Sequence, residues 1–357
     1  MRGPAFARLA KLARLVRLTL QRSREGHLPA SVQFAEMAWL MLRRGIGPSY
    51  YHVAAFWRRD VPWREKNAHL GGREYARRVA ALNPIEYRKL SQNKIAEKAI
   101  LHLFAVPTPR FLGFFHPARG RCPSGAPLRS AADLARLIAD ARVNRLCFKR
   151  VEGWGGAGFR AVDVREDHGA LALTPVLGSR ASTVDEYVED LVRGGDGDGW
   201  ILEEYLHQHE RLRAFNPTSV NTMRLWVVRR GDAAPVTLGG YLRIGRAGSL
   251  VDNRSSGGII APIDAATGTL RAATSGYAER PEYRAHPDHG APIEGQSLPF
   301  WGDACALAAS TLSLFPHLGF AGFDIAVSAT GPVVIELNPI PDVQGAAGIP
   351  LREVLRP

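Results

Sequence analysis

Hydrophobic residues recur in two rhythms along this chain. Before Pro109 the spacing is three and four, the period of a helix face. Phe6, Leu9, Leu12, Ala13, Val16 and Leu20 form one stripe over 5–20, with Arg8, Lys11 and Arg14 on the other side. Further helices are predicted over 31–43, 72–82 and 92–104; Gly45, Gly47 and Pro48 end the first of these, and Pro107 and Pro109 stop the last. Beyond Pro109 short apolar runs take over. They predict strands over 110–115, 145–151, 159–164, 199–206, 222–230, 235–244, 258–263, 321–328 and 332–337, with helices at 130–142, 183–193 and 298–315. Strands joined mostly by turns indicate an α+β protein with antiparallel pairing rather than a doubly wound sheet. No repeat or low-complexity tract is visible apart from the turn GGDGDG at 194–199.

At 357 residues the chain is long enough for two or three domains. No apolar run reaches the ~18–20 residues of a membrane span, and Arg recurs too often near the start for a secretory signal. Cys122, Cys147 and Cys305 are too far apart in sequence for a zinc motif or a disulfide scaffold. These features together read as a soluble cytoplasmic protein.

Charge divides the chain. Residues 1–90 hold 18 Lys and Arg against 6 Asp and Glu, whereas residues 91–357 hold 28 of each, so the whole excess of +12 belongs to the first segment. The neutral remainder argues against nucleic-acid binding. The basic helix at 5–20 suits an anionic membrane, a membrane-bound partner or its own domain, which would allow peripheral contact at the inner face of the membrane. Lysine is scarce, 6 against 40 Arg, and only Lys149 lies beyond Lys98. A retained Lys marks a place for a compact ammonium rather than a planar guanidinium, or else chance.

Three constellations carry chemistry. The first is FKRVEGWGGAGFRAVDV at 148–164, where Gly153, Gly155 and Gly158 match a dinucleotide fingerprint in spacing. The loop leads into a strand, not a helix, so it reads as a hairpin flap. The bare backbone at Gly155 and Gly156 can close over phosphates beside Lys149, or simply turn the chain. The second is WILEEYLHQHE at 200–210, a strand ending in polar residues, with one of Glu203 and Glu204 directed into a cleft. Such a strand end can pair an adenine, and a nearby carboxylate can take ribose hydroxyls; His207, His209 and Glu210 are an alternative metal set. The third is the hairpin at 319–343. Glu336 and Asn338 share a face, and Asp324 can join them across the hairpin. Two carboxylates and an amide are hard oxygen ligands suited to Mg²⁺ with nucleotide phosphates.

In this order the constellations resemble the ATP-grasp superfamily, and more narrowly its sugar-transfer-associated or alpha-L-glutamate-ligase-related branch. GIGPSYY, LNPIEYRKLSQNKIAEKAILHLFAVPTP, SVNTMRLWV, VDNRSSGG, AHPDHG and GFDIAV…VVIELNP all look like that branch's blocks. The resemblance implies an ATP-grasp fold of two α+β subdomains, 91–215 and 216–357, behind a basic helical region, 1–90. It implies that Lys94 and Lys149 contact ATP phosphates, Glu203 accepts the adenine amino group, Leu206 gives the backbone adenine contact and Glu210 holds the ribose. Arg224 resembles the arginine that stabilises the transferring phosphate, and Asp324, Glu336 and Asn338 resemble ligands for magnesium, two ions being expected. Asn221 is a candidate substrate contact or a turn residue. The loop carrying Asp252, Asn253, Ser256 and Gly257 holds an acceptor or turns the chain. Two departures stand out: a basic helical start where most relatives have a Rossmann-like domain, and Asn93 where many have Asp. The implied activity is an ADP-forming ligase that joins a small or peptide-like carboxylate to an amine through an acyl phosphate, in cell-surface polysaccharide or peptide-like synthesis. A kinase on the same fold and a non-catalytic nucleotide-binding partner are the alternatives.

Overall fold

The computed structural model describes residues 4–356 apart from Trp154, 168–169 and 195–196, together with all their side chains except those of Pro4, Ala5, Ala7, Arg8, Asp167, Ala346 and Ala347. Arg8 of the basic face, Trp154 of the glycine loop and part of the 194–199 turn thus lie outside the described residues.

Helices come first: α1 (Pro4–Arg24), α2 (Ala30–Arg44), α3 (Pro48–Val53), α4 (Trp63–Asn67), α5 (Gly72–Leu82), α6 (Ile85–Gln92) and α7 (Lys94–Leu103). The short α3, α4 and α6 each start at or just after a proline, which presets the first turn but escapes a pattern search that needs several turns. Asn93 caps α7, its side chain accepting from the N–H groups of Ile95 and Ala96. Asn and Asp serve this position about equally, so the departure at 93 leaves the helix start intact.

The first sheet uses β1 (Phe111–Phe115), β2 (Arg145–Arg150), β3 (Arg160–Asp167), β4 (Ala170–Pro175), β5 (Ser182–Thr183) and β6 (Trp200–Glu204) in the order β1-β6-β2-β3-β4-β5. Helices α8 (Ala131–Ala141) and α9 (Val184–Arg193) pack on one face, against Leu146, Phe148, Trp200 and Leu202. Strand alternation sends Cys147, Lys149, Ile201 and Glu203 to the opposite face.

After the single turn α10 (Glu210–Arg213), the second sheet uses β7 (Thr222–Val228), β8 (Val236–Ile244), β9 (Ile259–Pro262), β10 (Ala273–Thr274), β11 (Glu282–Tyr283), β12 (Phe320–Ser328) and β13 (Gly331–Asn338), ordered β11-β10-β9-β8-β7-β12-β13. Every pairing in both sheets is antiparallel, as the turn-rich pattern requires. Met223, Leu225, Phe323, Ile325 and Leu337 share a core with Leu101 of α7 and Ala304, Ala308 and Leu312 of α11 (Trp301–Leu312). The alternate positions Thr222, Arg224, Asp324 and Glu336 belong to the other face. Further along that face, Trp226 and Phe320 meet Tyr75 and Val79 of α5 and Leu351 of the terminal α12 (Leu351–Val354). Among the described residues no helix is long and apolar enough to cross a membrane.

Candidate active site

The faces of the two sheets that lack helices look onto one cleft of about 1060 Å³, its open mouth included. One part is apolar, walled by Phe159, Ile201, Leu206, Leu250 and Ile335. The other carries Lys94, Lys98, Lys149, Arg243, Glu203, Asp324 and Glu336. A slot for a flat apolar ring beside a charged compartment fits a nucleotide.

Glu203 is buried between two lysines, with Lys98 Nζ 2.7 Å from Oε1 and Lys149 Nζ 2.5 Å from Oε2. Burial disfavours its charge, but the two ammonium groups outweigh that and hold the carboxylate below its usual range. Burial also opposes the charge of Lys149, yet Glu203 raises its pKa; at Lys98 burial prevails and lowers it. Both Glu203 oxygens are engaged, so a base amino group would have to share this carboxylate with the lysines. Glu204 faces outward, to Arg110 at 2.8 Å. The N–H groups of Glu204 and Tyr205 donate to the carbonyls of Arg110 and Arg145, whereas that of Leu206 has no protein partner among the described residues. A purine ring nitrogen is a fitting acceptor for it.

Lys94 opens α7, its N–H bonded to the Val151 carbonyl and its Nζ to that of Gly153, so helix and glycine hairpin are joined at their bases. Strands β2 and β3 pair as the expected hairpin. Gly155 and Gly156 take φ of +61° and +72°. A Cβ on Gly156 would lie 2.6 Å from Asn253 Nδ2 and 3.1 Å from Val251 Cγ1, so the loop tip rests on the 251–253 segment without room for a side chain.

Across β7, β12 and β13 the register aligns Arg224, Asp324 and Glu336 in one row. Arg224 grips Asp324 with two nitrogens, and Arg243 Nη2 reaches the same carboxylate at 3.0 Å. The arginines overcome burial and hold Asp324 at about 2. Glu336 moves upward, first because it is buried and then because the Asp324 charge faces it. Asn338 Nδ2 donates to Glu336 Oε1 at 3.3 Å. Two adjoining carboxyl groups in competition for a proton, with an amide beside them, fit a divalent cation in the proton's place. Asp324 is already paired with both arginines, so it would be shared with such an ion.

Other candidates lie elsewhere. Asn221 is buried and spent on structure, its Nδ2 donating to Leu212 O and its Oδ1 accepting the Gly245 N–H, so it is not available as a substrate contact. Asp252 lines the cleft but is taken by Thr222 and Arg243; Asn253 faces the cleft beside the loop tip. Ser256 and Gly257 are exposed and outside the cleft walls. Glu210 is exposed at the start of α10, also outside those walls. His207 is exposed and His209 caps α10. The alternative metal set of His207, His209 and Glu210 is not assembled, and among the described residues no three His, Cys, Asp or Glu side chains form a metal cluster.

Sequence reasoning missed Lys98, Glu97, Thr222 and Arg243. Lys98 was legible in principle, four residues after Lys94 on one helix face and one of the few lysines. Arg243 carried no signal.

A family described as sugar-transfer associated ATP-grasp matches residues 73–357. No functionally curated protein matches the chain. Among solved structures, an N5-carboxyaminoimidazole synthase from Aspergillus clavatus is similar over 71% of this chain and 46% of its own, at 10% identity and a TM-score of 0.40. The D-alanine-D-alanine ligase from Coxiella burnetii covers 76% and 57%, at 12% identity and 0.42. Biotin carboxylase from Campylobacter jejuni covers 75% and 44%, at 14% identity and 0.45. The chain thus spans about half the length of these three proteins.

Proposed function

Since the chain belongs to the sugar-transfer associated ATP-grasp family and has the ATP-grasp fold, we propose that it is an ATP- and Mg²⁺-dependent ligase joining a carboxylate to an amine or related nucleophile. The observation that carries this reading is the cleft itself, where three lysines from one side meet the Arg224–Asp324–Glu336 row from the other. Adenine fits the apolar slot, with the Leu206 N–H as donor to a ring nitrogen. The phosphates fit the compartment of Lys94 and Lys149 under the glycine hairpin, and Glu203 keeps the lysine ammonium groups charged and aimed.

A substrate carboxylate oxygen attacks the γ-phosphorus, the bond from that phosphorus to the β,γ-bridging oxygen breaks, and ADP leaves. The nucleophile's nitrogen then attacks the acyl carbon, phosphate departs with the carbon–oxygen bonding electrons, and the nitrogen loses a proton. Arg224 and the lysines stabilise the charge that spreads over the phosphoryl oxygens, and their fixed positions avoid reorganisation during transfer. Asp324, Glu336 and Asn338 would hold magnesium, two ions being proposed, which supplies further neutralisation of those oxygens when bound. The family's association with sugar transfer suggests cell-surface polysaccharide or peptide-like products as the setting.

Incubation with ATP, Mg²⁺ and a mixture of small acids and amines tests the reading. The expected products are ADP, free phosphate and an amide in equal amounts. A stable phosphorylated acceptor overturns it in favour of a kinase; ATP binding without turnover points to a nucleotide-binding partner.

A further inference from the structure

Helix α1 is apolar on two sides, and only one of them is used. Leu15, Leu18 and Thr19 are buried, Thr19 against the His52 ring at 3.2 Å, and Arg14 and Arg22 tie the helix to Glu279. The stripe of Leu9, Leu12, Val16 and Leu20 points the other way, with exposures of 67, 57, 37 and 41%. Own-domain packing of this stripe, one of the readings of the sequence, therefore does not occur. Among the described residues, ten of the twenty large hydrophobic side chains left exposed lie between Phe6 and Leu42. Helix α2 adds Phe34, Met41 and Leu42, and Trp39 and Trp63 pair edge to face at 5.0 Å with both still partly exposed. Arg17 and Arg24 border the α1 stripe, and no acid occurs before Glu25.

From this surface we infer that the protein docks on an anionic lipid bilayer through α1, which lies in the interface plane. Three observations select that occupant. Residues 1–90 carry the whole +12 excess, so a second copy would bring like charge against like, whereas an anionic surface complements it. The helix is already held by its opposite side, so it cannot enter a groove that surrounds it, but a planar surface can cover the open side alone. Apolar side chains ringed by Arg, with Trp nearby, also match the layering of headgroups over acyl chains. This inference is independent of the ATP chemistry.

Co-sedimentation of the full chain with vesicles tests it. The expected result is association with phosphatidylcholine vesicles containing about one third phosphatidylglycerol, weakened by salt, and little association with phosphatidylcholine alone. The double variant Leu9→Glu/Leu12→Glu should lower the partition about tenfold or more, since two apolar anchors become anions. Leu103→Glu, at an exposed leucine elsewhere, should leave it unchanged. Arg17→Glu/Arg24→Glu gives a second measure, because each basic residue near such a surface changes affinity about fivefold. Absence of binding at low salt, or equal partition of wild type and Leu9→Glu/Leu12→Glu, overturns the inference. A dimer that this double variant converts to monomer also overturns it, in favour of a second copy on the stripe. ATP turnover without vesicles should be the same in wild type and variants, which separates this result from the fate of the ligase reading.

Discussion

Glu97 Oε1 accepts the Leu337 N–H at 2.8 Å, joining the helix that carries Lys94 and Lys98 to the hairpin that carries Glu336 and Asn338. Strand β13 is the outer strand of its sheet, so the outward N–H of Leu337 has no strand partner, and a buried donor of this kind must be satisfied. Burial drives the Glu97 carboxyl up to about 8, against the pull of Lys98. The phosphate-facing lysines and the proposed metal ligands are thereby held at a fixed separation by one hydrogen bond.

Glu97→Ala should destabilise the protein by about 1–3 kcal/mol and raise the Mg²⁺ concentration needed for half-maximal ADP formation. Glu97→Gln retains an acceptor oxygen and should restore most of both properties. A magnesium titration of all three proteins checks this; an unshifted requirement in Glu97→Ala removes Glu97 from the positioning role.

Lys149→Ala should weaken ATP binding by about 1.5–3 kcal/mol, the range for a charge-assisted contact. Calorimetric titration of the folded variant measures it. Lys98 still pairs Glu203 in that variant, so the fold should survive.

Glu336→Gln preserves size and removes one negative charge from the row. Turnover should fall on the order of 10²–10³, as for other lost transition-state electrostatics, while ATP affinity changes less because the base and lysine contacts remain. Parent-like Mg²⁺-dependent ADP formation would show that Glu336 is not a metal ligand.

The two loop glycines should respond differently to alanine. Both have positive φ, but a Cβ on Gly156 meets Asn253 at 2.6 Å, whereas one on Gly155 finds nothing nearer than 3.9 Å. Gly155→Ala should pay only the backbone strain, about 1–2 kcal/mol, and Gly156→Ala that plus displacement of the loop tip. The KM for ATP should rise more in Gly156→Ala; the reverse order would mean that the tip does not rest on 251–253 during catalysis.

Acid should destabilise the helical region before the cleft. His52 and His69 are buried, and burial depresses both rings from 6.5 to about 4. Below pH 6.5 the unfolded chain takes up protons that the folded rings refuse, so their contribution is complete above 6.5 and is lost as pH falls toward 4. Each ring costs about 1.4 kcal/mol per pH unit in that window. Thermal melts across the window should show the fall, and His69→Phe should lessen it.

What the sequence determined by itself is local. Period-two alternation in GFDIAV and VVIELN puts Asp324 and Glu336 on the face opposite Phe323, Ile325 and Leu337, and a hairpin brings them level. Helix spacing likewise reveals the basic start and its apolar stripe. Lysine scarcity points to Lys94, Lys98 and Lys149 in the cleft, but equally to Lys66, which is buried in an ion pair with Glu36 far along the chain from any of them. A retained lysine signals a demand for a compact charge without saying whether a ligand or a carboxylate makes it. Only tertiary structure decided that Glu203 is shared by two lysines, that Arg243 joins Arg224 on Asp324, and that Asn221 is consumed by backbone bonds. Each depends on distant segments meeting, such as Glu203 with Lys98 and Arg243 with Asp324, and no sequence spacing encodes those distances. The same holds for α1: its pattern showed two uses for one stripe, and the burial of Leu15 and Leu18 left that stripe open.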